Sequence, residues 1–417
     1  MGFSHLPYFL RDGVAVNLRG TWRYWLWMGL LVCLMLSGAY AYSIQFREGL
    51  QVTGMNDHVS WGLYISNFTF LVGLAAAAVM LVLPAYVLSD VDFSRAVLIG
   101  EGVAVAALVM CMMFVTVDLG SPMNIWHMIP KLGYFNFPNS MLAWDVIVLN
   151  GYLVLNSLIP FYILFCHYRG RKPSHFYVPF VILSVFWAVG IHMITAFLLA
   201  GLPARPFWNS SLLGPRFLAS AFAAGPAFMI LVLGLVKSFT HYPIKDSTVS
   251  KLAMITTVAA QINLVMLLSE VFKEFYWPTH HSSSAQYLFF GLHGHDALVP
   301  YIWPAIILNV LATLCLTIHP LRRQPGWLYG LCFLLFLAIW IEKGIGLIIP
   351  GFIPSPLGEL VEYTPTGLEI MVTLGIWALG LFIMTVLVRA AIAIETGVSR
   401  SPLLPPLSEL IKESERP

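Results

Sequence analysis

Four ionisable side chains fall in long apolar stretches or at their edges: Asp118, Asp145, His192 and Arg216. A charge at the centre of a bilayer costs about 2.5–3.5 kcal/mol on insertion scales, so each is a functional candidate. Histidine exchanges protons near neutrality, and a carboxyl group removed from water can serve as acid or base. Together the four could take protons from, or give them to, a molecule held in an apolar pocket. A quinol, which releases two protons with two electrons, is such a molecule. The plainer alternative is that Asp118 and Arg216 reach the membrane surface and Asp145 and His192 are satisfied inside a helix bundle.

A second set lies in the C-terminal half. Glu270 and Glu274 are four residues apart on one helical face with Lys273 beside them, and Glu342 and Lys343 are adjacent. These fit either a structural salt-bridge cluster or a route for protons or ions. Glu101 is the main embedded acid near the opposite membrane face, where it could begin an inner half-channel or be paired locally. Glu101, Glu270, Glu274 and Lys343 are the proton-route candidates.

The five cysteines (Cys33, Cys111, Cys166, Cys315 and Cys332) form no CxxC, no CxxCH and no run. That spacing argues against iron–sulfur ligation and covalent haem. Only His192 among the histidines is well inside an apolar stretch, so a bis-histidine membrane haem lacks its second ligand. His280, His281, His293, His295 and Asp296 lack helical ligand spacing. A polar loop that docks a partner or lines a proton exit is the better reading, and no metal site is expected.

The elements that must position these groups are membrane helices. The 417 residues are 59% hydrophobic and only 10% charged, with a mean hydropathy of +0.81. Soluble domains are about a quarter charged, so a soluble enzyme or a disordered regulator is excluded. A net charge of +2 is no nucleic-acid footprint. Ten stretches are long enough to cross a bilayer: 23–45, 61–88, 96–117, 142–167, 176–200, 215–239, 249–272, 298–319, 326–349 and 366–391. The expected fold is all-α and polytopic, and small-residue runs such as GLAAAAVM (73–80) and ASAFAAGPA (219–227) predict close helix packing.

With the N-terminus inside, the inner segments carry 16 Lys and Arg against 5 outside, or 14 against 5 without Lys412 and Arg416. Both termini are therefore expected in the cytoplasm. The first span is too long for a signal peptide and no small-residue cleavage site follows AYSIQF. Residues 401–417 read as a mobile tail. Inner loops such as SDVDFSR (89–95) are short, whereas 118–141 and 277–297 are longer and rich in aromatic, His and acidic residues. The working face is expected outside.

WGLYISNFTFLVGLAAAA (61–78), TVDLGSPMNIWHM (116–128) and PNSMLAWDVIVLNGY (138–152) resemble the NrfD/polysulfide-reductase type of membrane subunit. So does GIHMITAFLLAGLPARPFWNSSLLGPRFLASAFAAGP (190–226), whose RPFW, PRF and SAFAAG elements follow an embedded His. The resemblance covers essentially the whole chain and points to the ten-span form. It implies two four-helix bundles, the second to fifth and sixth to ninth spans, flanked by the first and tenth. The chain then divides into 1–60 (N-terminal segment, first span and loop), 61–200 (first bundle), 201–349 (second bundle) and 350–417 (last span and tail).

The same resemblance implies an exchangeable menaquinone, with no haem or iron–sulfur cluster in this chain. The catalytic set is Asp118, Asp145 and His192, with His58, Trp61, His127, Trp144, Arg205, Trp208 and Arg216 around the quinone. Implied partners are a periplasmic ferredoxin-like iron–sulfur subunit, a molybdopterin-type subunit and a multihaem cytochrome c in a bacterial cytoplasmic membrane. Such a subunit serves a menaquinone-reductase-like complex and is not catalytic alone. The alternatives are a secondary transporter, a proton-translocating subunit without quinone chemistry, or a structural anchor. A transporter calls for helices broken at corresponding places in two halves, and Pro84, Pro226 and Pro304 do not repeat in that way.

Overall fold

The computed structural model describes residues 3–76, 79–87, 90, 93–129, 131–240, 242–277 and 279–403. His241, Lys412, Arg416 and the tail from 404 onward lie outside the described residues. In hydrocarbon every backbone N–H and C=O needs a partner within the protein, and a helix supplies them along its own length. The described residues accordingly hold no strand, and ten helices are long and apolar enough to cross a membrane.

These spans are Trp22–Glu48, Leu63–Tyr86, Val97–Asp118, Met141–Tyr168, His175–Ala200, Leu213–Phe239, Asp246–Tyr276, Val299–Thr317, Pro325–Phe352 and Gly367–Glu395. They match the ten apolar stretches read from sequence. The protein is an integral, multi-pass membrane protein. One difference matters for the site: the seventh helix continues to Tyr276, which carries Lys273 and Glu274 within it.

Hydropathy alone did not mark three features. A helix over Leu6–Asn17 precedes the first span. A second short helix, Ser283–Phe290, lies within the 277–297 segment read as a loop. The ninth span is not continuous: its first helix ends at Lys343, Gly344 turns the chain, and Ile345–Ile348 resumes helical form. Pro160, Pro226 and Pro304 sit inside continuous helices, whereas Pro84 lies in a π-helical turn, Leu83–Val87.

The second and third spans pack closely, as do the fourth and fifth. In the other half the sixth packs on the seventh and ninth, and the eighth on the ninth. The halves meet where the second and fifth spans touch the sixth. The tenth span lies between the first and third. Small residues permit these approaches: a Cβ on Gly38 would stand 2.7 Å from Gly375 Cα, so the first and tenth helices cross backbone to backbone.

Buried polar nodes tie the spans together. Fully buried Asn67 of the second span accepts from Trp340 Nε1 at 3.0 Å and Trp377 Nε1 at 2.8 Å, joining the ninth and tenth. At the end carrying segments 119–140 and 277–298, here the loop end, Glu369 caps the tenth span in a capping box with Thr366. Its carboxylate also accepts from Tyr363 Oη at 2.6 Å and Gly54 N at 2.7 Å. Burial, and then the Glu369 charge, push the Tyr363 phenol well above its ordinary pKa, so it remains a donor.

Candidate functional site

The fourth and fifth spans bring two of the catalytic candidates to one place. Asp145 is 2% exposed, and its Oδ1 accepts from Thr195 Oγ1 at 2.9 Å. Thr195 lies three residues beyond His192, on the same helical face one turn nearer the loop end. His192 is fully buried, and its Nδ1 lies 2.8 Å from the Ala188 carbonyl, to which it donates. That bond fixes the tautomer and leaves Nε2 with a free lone pair. Among the described residues Nε2 has no hydrogen-bond partner. A buried ring nitrogen without a partner is costly unless another group completes it.

Asp118 ends the third span at the loop end, with a buried Oδ1 that also lacks a partner among the described residues. Polar groups beside it are already bonded to each other: Tyr64 Oη donates to Gln45 at 2.7 Å, and Gln45 Nε2 donates to the Val117 carbonyl at 2.6 Å. Asp145 lies four residues inside the loop-end start of the fourth span and His192 eight inside the loop-end finish of the fifth, about 6 and 12 Å of helix rise. The three candidates therefore form a stepped line rather than one cluster.

Arg216, expected around the quinone with these residues, points into the other half. Its guanidinium bridges Glu270 of the seventh span and Glu342 of the ninth, the latter at 2.7 Å. The second Glu342 oxygen accepts from Asn309 Nδ2 of the eighth span at 2.7 Å. One side chain from each of four spans thus joins a buried network, in which Arg216 Nε has no hydrogen-bond partner among the described residues. A cavity beside it is walled by Leu267, Val271, Leu288, Phe289, Ile302 and Ile306, and is reached by Arg216, Glu270, Glu274 and Glu342. Glu274 also pairs with Lys273 at 3.3 Å.

Lys343 stands between the two halves. It is 3% exposed, and its Nζ lies 4.6 Å from the Phe217 ring centroid with no hydrogen-bond partner among the described residues. It lines a small cavity with Thr69, Ser220 and Ala221, where the second, sixth and ninth spans meet, and it is an electrostatic neighbour of His192. Glu101 is 2% exposed, with Oε2 unpartnered among the described residues, and its electrostatic neighbours are Tyr86, Tyr152 and Tyr177.

The remaining candidates are at the loop end. Trp208 is fully buried, donates from Nε1 to the Leu347 carbonyl at 2.8 Å and stacks on Trp61. Arg205 donates to the Phe352 carbonyl at 3.1 Å and lies over the Phe352 ring. These four residues make an aromatic corner between the halves. His58 pairs with Glu359 at 3.4 Å, and His295 with Glu362 at 3.3 Å. His127 is exposed and stacked on Trp126, and Trp144 donates to the Pro138 carbonyl. No group of three metal-ligating side chains occurs among the described residues.

Thr195 and Asn309 were not singled out from sequence, since neither carries charge. The signal for Thr195 was its i+3 spacing from His192, and for Asn309 an amide within the apolar run VPYIWPAIILNVLATLCLT (299–317).

Three curated proteins align with this chain over most of their length. It is 24% identical to a subunit of the selenate reductase of Mesobacillus selenatarsenatis, covering 87% of this chain and 93% of that one. It is 23% identical to the Hdr-like menaquinol oxidoreductase integral membrane subunit of Archaeoglobus fulgidus, over 86% and 91%. It is 22% identical to the menaquinone reductase integral membrane subunit of Nitratidesulfovibrio vulgaris, over 93% and 94%. The family model for polysulphide reductase, NrfD, matches residues 51–354. With well over half of the chain inside that match, the protein belongs to the NrfD polysulphide reductase family.

Proposed function

We propose that this chain is the quinone-binding membrane subunit of a respiratory oxidoreductase complex. The observation that carries the reading is His192: a fully buried imidazole whose Nε2 faces no partner among the described residues, one turn from the Asp145–Thr195 pair. A quinol hydroxyl would complete that nitrogen by donating to it, and the unpartnered Asp118 Oδ1 offers a second polar contact nearer the loop end. Menaquinone, named for two of the relatives, would supply the two-electron, two-proton chemistry. His192 accepts or donates a proton at Nε2, Thr195 orients the Asp145 carboxyl, and the apolar helices exclude water. Trp61, Trp208, Arg205 and Phe352 shape the loop-end wall, and His58, His127 and Trp144 lie along its rim.

Electrons would pass to or from a ferredoxin-like iron–sulfur subunit at the loop end. A molybdopterin-type subunit and a multihaem cytochrome c would complete the assembly. The excess of Lys and Arg on the short-loop side supports cytoplasmic termini and a periplasmic loop end, as expected of a bacterial inner-membrane subunit. In this reading 61–200 forms the quinone half and 201–349 the half that handles protons through Glu270, Glu274 and Lys343, with Glu101 as the cytoplasmic inlet. Turnover would then be electrogenic.

Binding of a menaquinol analogue to the purified complex tests the pocket. His192→Ala and Asp118→Asn should each weaken it at least about tenfold, and unchanged binding in both would overturn the assignment. Glu101→Gln in proteoliposomes should abolish the membrane potential while electron transfer persists. An unaltered potential removes Glu101 from the route.

A second reading, proton translocation without quinone chemistry, draws on the four-helix network of Arg216, Glu270, Asn309 and Glu342. It is favoured if the analogue does not bind the unaltered protein while proton uptake still requires Glu342.

A further inference from the structure

We propose that the N-terminal helix, Leu6–Asn17, is an interfacial anchor that binds anionic phospholipid in the leaflet at the short-loop end. The inference is independent of the quinone reading.

One face of this helix is locked to the bundle. Phe9 is 8% exposed and meets Phe161, Phe165 and Tyr168 edge-on at 5.3, 5.5 and 5.4 Å between centroids. Asp12 accepts from Tyr168 Oη at 2.6 Å, Asn17 donates to the Val386 carbonyl at 3.3 Å, and Arg389 donates to the Val16 carbonyl at 3.2 Å. Phe161 lies two turns inside the end of the fourth span, and Val386 more than two turns inside the end of the tenth. At 1.5 Å per residue, those contacts lie about 10 to 14 Å inside the helix ends. The short helix therefore lies beside the spans rather than beyond them.

Its opposite face is open and mainly apolar, with Arg11 the exposed base on it. Leu10, Val14 and Leu18, at i, i+4 and i+8, are 53%, 60% and 66% exposed. At that depth such a stripe meets acyl chains. The chain then turns into the first span through Arg19, Trp22 and Arg23, all exposed. Arg11 is held by Asp12 at 3.0 Å, so Arg19 and Arg23 are the bases left to meet phosphate. An apolar face bordered by bases and an interfacial tryptophan fits a negatively charged leaflet rather than a second protein surface.

The test uses the full chain, with the partner proteins that copurify, in nanodiscs of phosphatidylethanolamine and phosphatidylglycerol. A nitroxide is placed at Val14→Cys in a Cys33→Ser background, with reference labels at lipid-facing Leu36 and at Val398 in the C-terminal segment. The Val14 label should collide with oxygen more than with a water-soluble nickel chelate, between the two references. Nickel access equal to that at Val398 would overturn the proposal, as would shielding from both reagents, which would mean protein covers the stripe. The double variant R19Q/R23Q should retain at least about threefold less phosphatidylglycerol on delipidation, with phosphatidylethanolamine unchanged. Equal retention of phosphatidylglycerol would refute the anionic preference.

Discussion

In the second half of the bundle Arg216 bonds to carboxylates on two other spans, and Asn309 from a third completes Glu342. In the first half Asp145 has a single side-chain donor, Thr195, while His192 Nε2 and Asp118 Oδ1 have no partner among the described residues. Both regions bury ionisable groups among apolar helices, but in the second the Glu342 carboxylate has a partner on each oxygen, although Arg216 Nε has none among the described residues. A closed network resists change, because removing one member strands the rest. An open one leaves atoms that a bound molecule can complete. The contrast separates charges paired across four helices from an imidazole nitrogen and a carboxyl oxygen with no partner among the described residues.

The largest expected effect comes from breaking the closed network. Arg216→Met leaves Glu270 and Glu342 buried without their cation and should cost about 3–5 kcal/mol, read as a lower Tm in detergent. Removing Thr195 is a smaller blow: Thr195→Val strips Asp145 of its donor and should cost about 1–3 kcal/mol. If it cost as much as Arg216→Met, the first half would be as tightly coupled as the second.

Next comes His192→Ala, which should weaken menaquinol-analogue binding at least tenfold, or about 1.4 kcal/mol. The same binding should survive Asn309→Ala, which perturbs only the closed network. Loss in both would erase the functional distinction.

The smallest shift is expected at Lys343, the candidate that stands between the halves. Lys343→Met removes a buried amine, unpartnered among the described residues, that costs about 1–3 kcal/mol and gives up a ring contact worth about 0.5–2 kcal/mol. Stability should change by no more than a loss of about 1 or a gain of about 2.5 kcal/mol, measured as Tm, whereas potential generation in proteoliposomes should fall. A large drop in Tm would show that Lys343 belongs to the closed network instead.

Much of the fold was legible without coordinates. Each span's length and hydropathy exceed what any soluble helix needs, and the observed ends fall within about four residues of the expected ones. The pairing of buried groups was not legible. Arg216 opens the sixth span within the same stretch as His192 and so was grouped with it, yet its side chain turns to the seventh and ninth spans. The break at Gly344 was also silent, because GIGLIIP continues the apolar run without interruption.

The amino-acid sequence by itself determined that this protein lives in lipid, how many times it crosses, and which few side chains carry a chemical burden there. Those properties are sums over local composition, and continuous apolar runs of this length satisfy their backbone in hydrocarbon as helices. Only the tertiary structure decided which of those side chains meet. Helices that are apolar on nearly every face carry no amphipathic signal to orient them, and small-residue packing sets their rotation instead. That rotation turned Arg216 toward the acids, put Thr195 on Asp145, and left His192 Nε2 open.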